Sequence, residues 1–218
     1  MLKQNYRSIL STVKAMRTQK QSFLGWTGVF ISTVFMLLAS GLALYPKITS
    51  ANILTALRLS SLTTAIPFLL VFVTKPLTAT TDELGQWLKS NRSYLWLALT
   101  ISHLIHLYQI VLYYQLGKTC SWTTWLVTAP LWIIMVLFSV TEVVKPEIFD
   151  YLYQAHVPKR LSVLYTLGLW YIWLVFTLAF GFGTAAQHIP FYNVPAFMLF
   201  IAGAIFHGIL WWRKNSPA

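Results

Sequence analysis

Four side chains in this 218-residue chain could do chemistry in apolar surroundings: His103, His106, His207 and Arg58. An ionisable group inside a membrane-length apolar run is costly there, so it marks a candidate functional site. His103 and His106 are three residues apart, which on a helix sets them about 60° apart in projection, on one side. Neutral imidazoles on facing helices, around a dry slot of small and apolar groups, are the usual way a helical bundle holds a b-type haem. His103 or His106 could supply one ligand to a haem iron. His207 is the other histidine within an apolar run, and Ala204 and Gly208 beside it would admit a flat ring. Arg58 could neutralise a buried carboxylate such as a haem propionate, or could snorkel to the nearer membrane surface. A packing reading stands beside the cofactor reading for each histidine. Small residues four apart are common at membrane helix contacts, where an imidazole hydrogen-bonds a neighbouring backbone or hydroxyl. His156 and His188 read as ordinary loop histidines.

The elements that must position these groups are membrane spans. Hydrophobic residues make up 57% of the chain and charged residues only 10%, against about a quarter charged in a soluble domain. Ten tryptophans and eleven tyrosines suit aromatic belts at two interfaces. Six apolar runs approach the length that crosses a bilayer: 23–45, 53–74, 94–116, 122 to 140 or 144, 161–182 and 194–212. The expectation is an all-α membrane protein, a single six-helix bundle over 23–212 in a lipid bilayer. Pro130 predicts a kink in the fourth span. Residues 1–22 are a basic segment in which Leu2, Tyr6, Ile9, Val13 and Met16 form one helical stripe. They read either as an interfacial helix on an anionic leaflet or as a solvated basic tail. Residues 213–218 are a short tail.

Charge sets the orientation. With the N-terminus inside, the inner segments hold Lys3, Arg7, Lys14, Arg17, Lys20, Lys75, Lys89, Arg92, Lys145, Lys159, Arg160, Arg213 and Lys214; the outer loops hold Lys47 and Lys118. Thirteen against two places both termini in the cytoplasm of a multi-pass protein of the cell (inner) membrane. The same bias accounts for the net charge of +11 without a nucleic-acid partner. In this orientation His103 lies roughly 16 Å and His106 roughly 21 Å from Arg92 along the third span, and His207 lies in the inner half. The lone Cys120 excludes an intrachain disulfide and a cysteine-held metal cluster. No nucleotide- or flavin-binding fingerprint is present. The acidic residues lie near the inner loops, away in depth from His103 and His106, which argues against a carboxylate-bridged metal site or a hydrolase triad.

Asn91-Arg92-Ser93-Tyr94-Leu95 followed by Ser102-His103-Leu104-Ile105-His106 resembles the third helix of the ferric reductase-like transmembrane domain family. That family includes a haem-binding membrane subunit of the periplasmic methionine-sulfoxide reductase system. The stretch Val73-Thr74-Lys75-Pro76-Leu77 resembles its second-helix exit, and Leu164 to Phe176 the start of its fifth helix. The resemblance spans about residues 25–212. It implies a ferric reductase-like bundle, with His106 at the family's third-helix ligand position and a b-type haem carrying electrons from a quinol or a separate flavoprotein reductase. The two fifth-helix histidines of the family are replaced, by Tyr165 and by a residue near Leu178. The resemblance therefore implies either a membrane electron-transfer subunit, as an oxidoreductase component, or a haem-free scaffold or partner-binding protein of the same fold.

Overall fold

The computed structural model of the chain describes residues 25–77, 83–119, 121–145, 148, 159–185 and 193–215. The basic segment 1–22, Cys120, His156 and His188 lie outside the described residues. Among the described residues six long helices follow one another: α1 (Gly25–Leu44), α2 (Ser50–Leu77), α3 (Glu83–Gln115), α4 (Trp122–Val144), α5 (Lys159–Ala185) and α6 (Asn193–Asn215). All six are long and apolar enough to cross a membrane. The protein is an all-helical membrane bundle.

Side-chain contacts show that successive helices run antiparallel. Trp26 meets Tyr94 and Gln109 reaches Ser40, so α1 and α3 are parallel. Tyr114 stacks on Trp125 near one end of the α3–α4 pair, and Arg92 reaches Glu142 near the other. Phe138 meets Tyr165 across α4–α5, and Trp173 Nε1 donates to the Phe200 carbonyl across α5–α6 (2.9 Å). The broadest helix contact is α2 along α3. We call the two ends of the bundle the turn end, which carries the α3–α4 connection, and the opposite end.

The α3–α4 connection is built by local chemistry. Gly117 has φ of 74°, a conformation that costs glycine little and closes a helix. Its N–H bonds the Tyr114 carbonyl (2.9 Å), and the Lys118 N–H bonds that of Tyr113 (3.4 Å). The pair is a Schellman ending for α3. Ser121 then caps α4, its hydroxyl accepting from the Thr124 N–H at 3.2 Å. The two caps set α3 and α4 side by side.

The core lies between α2, α5 and α6 and is aromatic. Phe68, Phe176 and Phe200 stack with centroids 5.5–6.1 Å apart, and Phe180 joins them at 5.7 Å from Phe200. Gly168 lets Phe138 approach α5: a Cβ there would lie 2.7 Å from Phe138 Cζ. Two expectations are corrected. The third span was expected from residue 94 with a polar loop before it, but α3 begins at Glu83, so Lys89 and Arg92 are helical. Arg92 is buried, not a loop charge, because Glu142 of α4 neutralises it. The helix α4 runs through Pro130 from Trp122 to Val144; near that proline Tyr171 of α5 donates to the Val127 carbonyl at 2.7 Å.

Candidate functional site

The two α3 histidines share one site near the turn end. Their rings are 5.5 Å apart and nearly parallel, with 22° between planes. Both line a cavity of about 280 Å³ between α2, α3, α4 and α5. The other walls include Leu57 and Ser61 of α2, Trp125, Leu131 and Trp132 of α4, and Val175, Phe176 and Phe180 of α5. The cavity is thus mainly apolar, with the imidazole pair and the hydroxyl-bearing Ser61, Tyr114, Thr124 and Thr128 as its polar side chains. It is small for a ligand site, since such pockets run from about 300 Å³ upward.

The two rings are held differently. His103 is 7% exposed, packs on Trp132 (4.2 Å) and Phe176 (6.1 Å), and has no hydrogen-bond partner at Nδ1. Its position rests on ring packing, and a buried ring nitrogen stays unsatisfied. His106 is pinned by a polar seam through three helices. Its Nδ1 lies 2.6 Å from Ser60 Oγ of α2, Ser60 donates to Gln109 Oε1 at 2.7 Å, and Gln109 Nε2 donates to Ser40 Oγ of α1 at 2.6 Å. The single Ser60 proton is directed at Gln109, with the Leu57 carbonyl 3.0 Å away as its alternative acceptor. His106 Nδ1 is therefore the donor toward Ser60, and Nε2 is the lone-pair nitrogen of that ring. This tautomer follows from the network rather than from a seen hydrogen.

The structure brings His103 and His106 together and leaves the other two candidates elsewhere. His207 is buried on α6 between Phe72 (4.9 Å) and Trp170 (5.3 Å). Rings of the aromatic core stand between it and His103: Phe176 contacts His103, Phe68 contacts Phe176, and Phe72 contacts both Phe68 and His207. Arg58 is half-buried on α2 beside the cavity-lining Leu57 and Ser61, and among the described residues no carboxylate pairs with it. Spacing alone pointed to His103 and His106. It missed Gln109, although that residue continues the series of threes on α3, and it missed Ser40, Trp132 and the Arg92–Glu142 pair. Partners on other helices have no signature in local spacing.

A haem with two axial imidazoles needs a ligand on the helix opposite α3. The α4 and α5 lining is Thr124, Trp125, Thr128, Leu131, Trp132, Val175, Phe176, Ala179 and Phe180, none of which supplies an imidazole. Tyr165 is buried against Phe138 (5.0 Å), and Leu178 is exposed. The described residues do not fit a bis-histidine haem between α3 and α5. Nor, among them, does any group of three His, Cys, Asp or Glu converge as a metal site. No protein-family model, curated protein or solved structure matches this chain.

Proposed function

We propose that this chain is a haem-free membrane binding protein of ferric reductase-like architecture. It keeps the third-helix imidazole of that family and uses the cavity it heads to receive a small ligand or a partner group. The observation that carries this reading is the α5 lining of the cavity, Val175, Phe176, Ala179 and Phe180, which is aliphatic and aromatic and offers no ligand to iron. The visible spectrum of the purified protein, oxidised and dithionite-reduced, after expression with added haem precursor, tests it. We expect no haem absorption at a stoichiometric level. A full complement of low-spin b-type haem would overturn the reading.

One observation favours a second reading, an electron-transfer subunit with His106 as the sole axial imidazole of a b-type haem. Metal-bound histidines donate their other ring nitrogen to a partner, as His106 Nδ1 does to Ser60. Electrons would then come from a quinol or a separate flavoprotein reductase. High-spin haem in the same spectrum, lost in His106→Ala and kept in His103→Ala, is the result that favours it.

The proposed topology has both termini in the cytoplasm of the cell (inner) membrane. Without the buried Arg92, twelve lysines and arginines still fall on the inner side against two outside. Cys120 then lies outside. A membrane-impermeant thiol reagent should label it in intact cells and should fail on Cys120→Ser. Labelling only after lysis would invert the topology.

A further inference from the structure

The ligand class of the imidazole cavity is set by which atoms reach it, given the haem-free reading above. His106 Nδ1 is engaged by Ser60 at 2.6 Å, and His103 Nδ1 is buried with no partner. Each ring keeps its Nε2. Among the described residues neither Nε2 makes a hydrogen bond, and neither is a buried orphan atom, so both have accessible surface. Both rings line the cavity.

The other polar side chains of the wall leave these nitrogens free. Ser61 donates to the Arg58 carbonyl at 2.7 Å and Thr128 to the Thr124 carbonyl at 2.9 Å. The hydroxyls of Thr124 and Ser121 share a hydrogen bond of 2.9 Å, and the hydroxyl oxygen of Tyr114 is buried. The indoles of Trp125 and Trp132 carry N–H donors and no lone pair. Among the described residues no carboxylate, thiol, lysine or arginine lines the cavity.

Two imidazoles that share one ion through Nε2, at about 2 Å each, have ring centres about 5–6 Å apart. The rings of His103 and His106 are 5.5 Å apart. Two neutral nitrogens do not suit zinc, which takes four ligands in a closed site and carries two charges that nothing here would balance. Calcium and magnesium take oxygen ligands. Copper(I) carries one charge, is bound by imidazole and is satisfied by two ligands. The rings of Trp125, Trp132, Phe176 and Phe180 give the wall aromatic faces, which attract a cation. A volume of about 280 Å³ is small for an organic ligand and ample for an ion. Thr124 and Trp125, both exposed at the start of α4, give an entry from the turn end.

We propose that this cavity is a Cu(I) site, with Nε2 of His103 and Nε2 of His106 as its two protein ligands. Ser60 is the positioning residue: by accepting from Nδ1 of His106 it turns the lone pair of that ring toward the ion.

The test titrates the full chain, purified without copper, with Cu(I) under anaerobic conditions against the competing chelator bicinchoninate. Cys120→Ser is the background throughout, because the one thiol would itself take Cu(I). One Cu(I) should bind per chain. His106→Ala and His103→Leu each leave a single ligand and should weaken binding by more than about 100-fold, beyond the loss that an outer partner causes. Ser60→Ala should weaken it about 10–100-fold. His207→Ala removes a buried histidine outside the cavity and should bind as the background does. Cu(I) is diamagnetic, so nitrogen-15 spectra of the background protein read the ligands with both histidines in place. The Nε2 signals of His103 and His106 should move on adding Cu(I), while Nδ1 of His106 stays protonated. Unmoved Nε2 signals overturn the proposal, as does Cu(I) that stays bound in folded His106→Ala and His103→Leu, which would mark an adventitious ion only. Displacement of the copper by equimolar Zn(II) overturns it too. A haem-free protein that binds no Cu(I) overturns this assignment alone and leaves the haem-free reading standing; stoichiometric b-type haem in the purified chain overturns both.

Discussion

The two ends of α3 solve the same problem with opposite chemistry. Toward the opposite end, Arg92 Nε meets Glu142 Oε1 at 2.5 Å, both side chains almost fully buried (3% and 0% exposed), with Ser93 Oγ donating to the same carboxylate oxygen at 3.3 Å. Toward the turn end, His106, Ser60, Gln109 and Ser40 form a chain without a formal charge. The first clamps α3 to α4; the second ties α3 to α2 and α1. A buried ion pair is tolerated because each charge cancels the other, and its strength shows only when one partner is removed. A neutral seam asks less of the bundle. It also leaves an imidazole nitrogen with its lone pair beside a cavity. Structural demand is concentrated in the charged clamp and chemical capacity in the neutral seam.

The sharpest way to break this comparison is at Glu142. Glu142→Ala takes the carboxylate away from a buried guanidinium and should cost about 3–5 kcal/mol, whereas Arg92→Met with Glu142→Met together should cost clearly less than that single change. Reversible unfolding in mixed micelles measures both. A double variant as unstable as Glu142→Ala would mean that Arg92 and Glu142 do not act as a compensating pair. A smaller effect is expected in the seam. Gln109→Leu removes the link between Ser40 and Ser60 and should cost about 0.6–1.7 kcal/mol, the range for hydrogen bonds between membrane helices. A loss as large as that of Glu142→Ala would erase the distinction between the ends. The finest test leaves stability almost untouched. Nitrogen-15 spectra of the histidines should show His106 protonated at Nδ1 in the parent, and Ser60→Ala should release it into a mixture of tautomers. A parent already protonated at Nε2 would reverse the hydrogen-bond directions along the seam.

Much of the bundle could be read before any coordinate. Near-twenty-residue apolar runs have few alternatives in a bilayer, because a spanning backbone must satisfy its own hydrogen bonds. Each of α1 to α6 lies within a few residues of an expected span, save for the start of α3. The stretch from Glu83 to Arg92 looked like a loop because it carries charge; Glu142, fifty positions away in sequence, is what lets Arg92 sit buried in a helix. The shared side of His103 and His106 followed from helix geometry alone.

Which side chains those histidines would meet did not follow from it. The identity of His106's partner depends on how α2 is rotated against α3, and that rotation is set by packing summed over many residues. The same is true of the aliphatic and aromatic wall on α5, of the rings that separate His207 from His103, and of the open space left at Gly28. By itself the sequence determined which segments are helices of membrane length and which residues share a helix face, because both depend on periodicity and local polarity. Only the tertiary structure decided which faces meet, because hydrogen-bond partners and cavity walls belong to residues far apart in the chain.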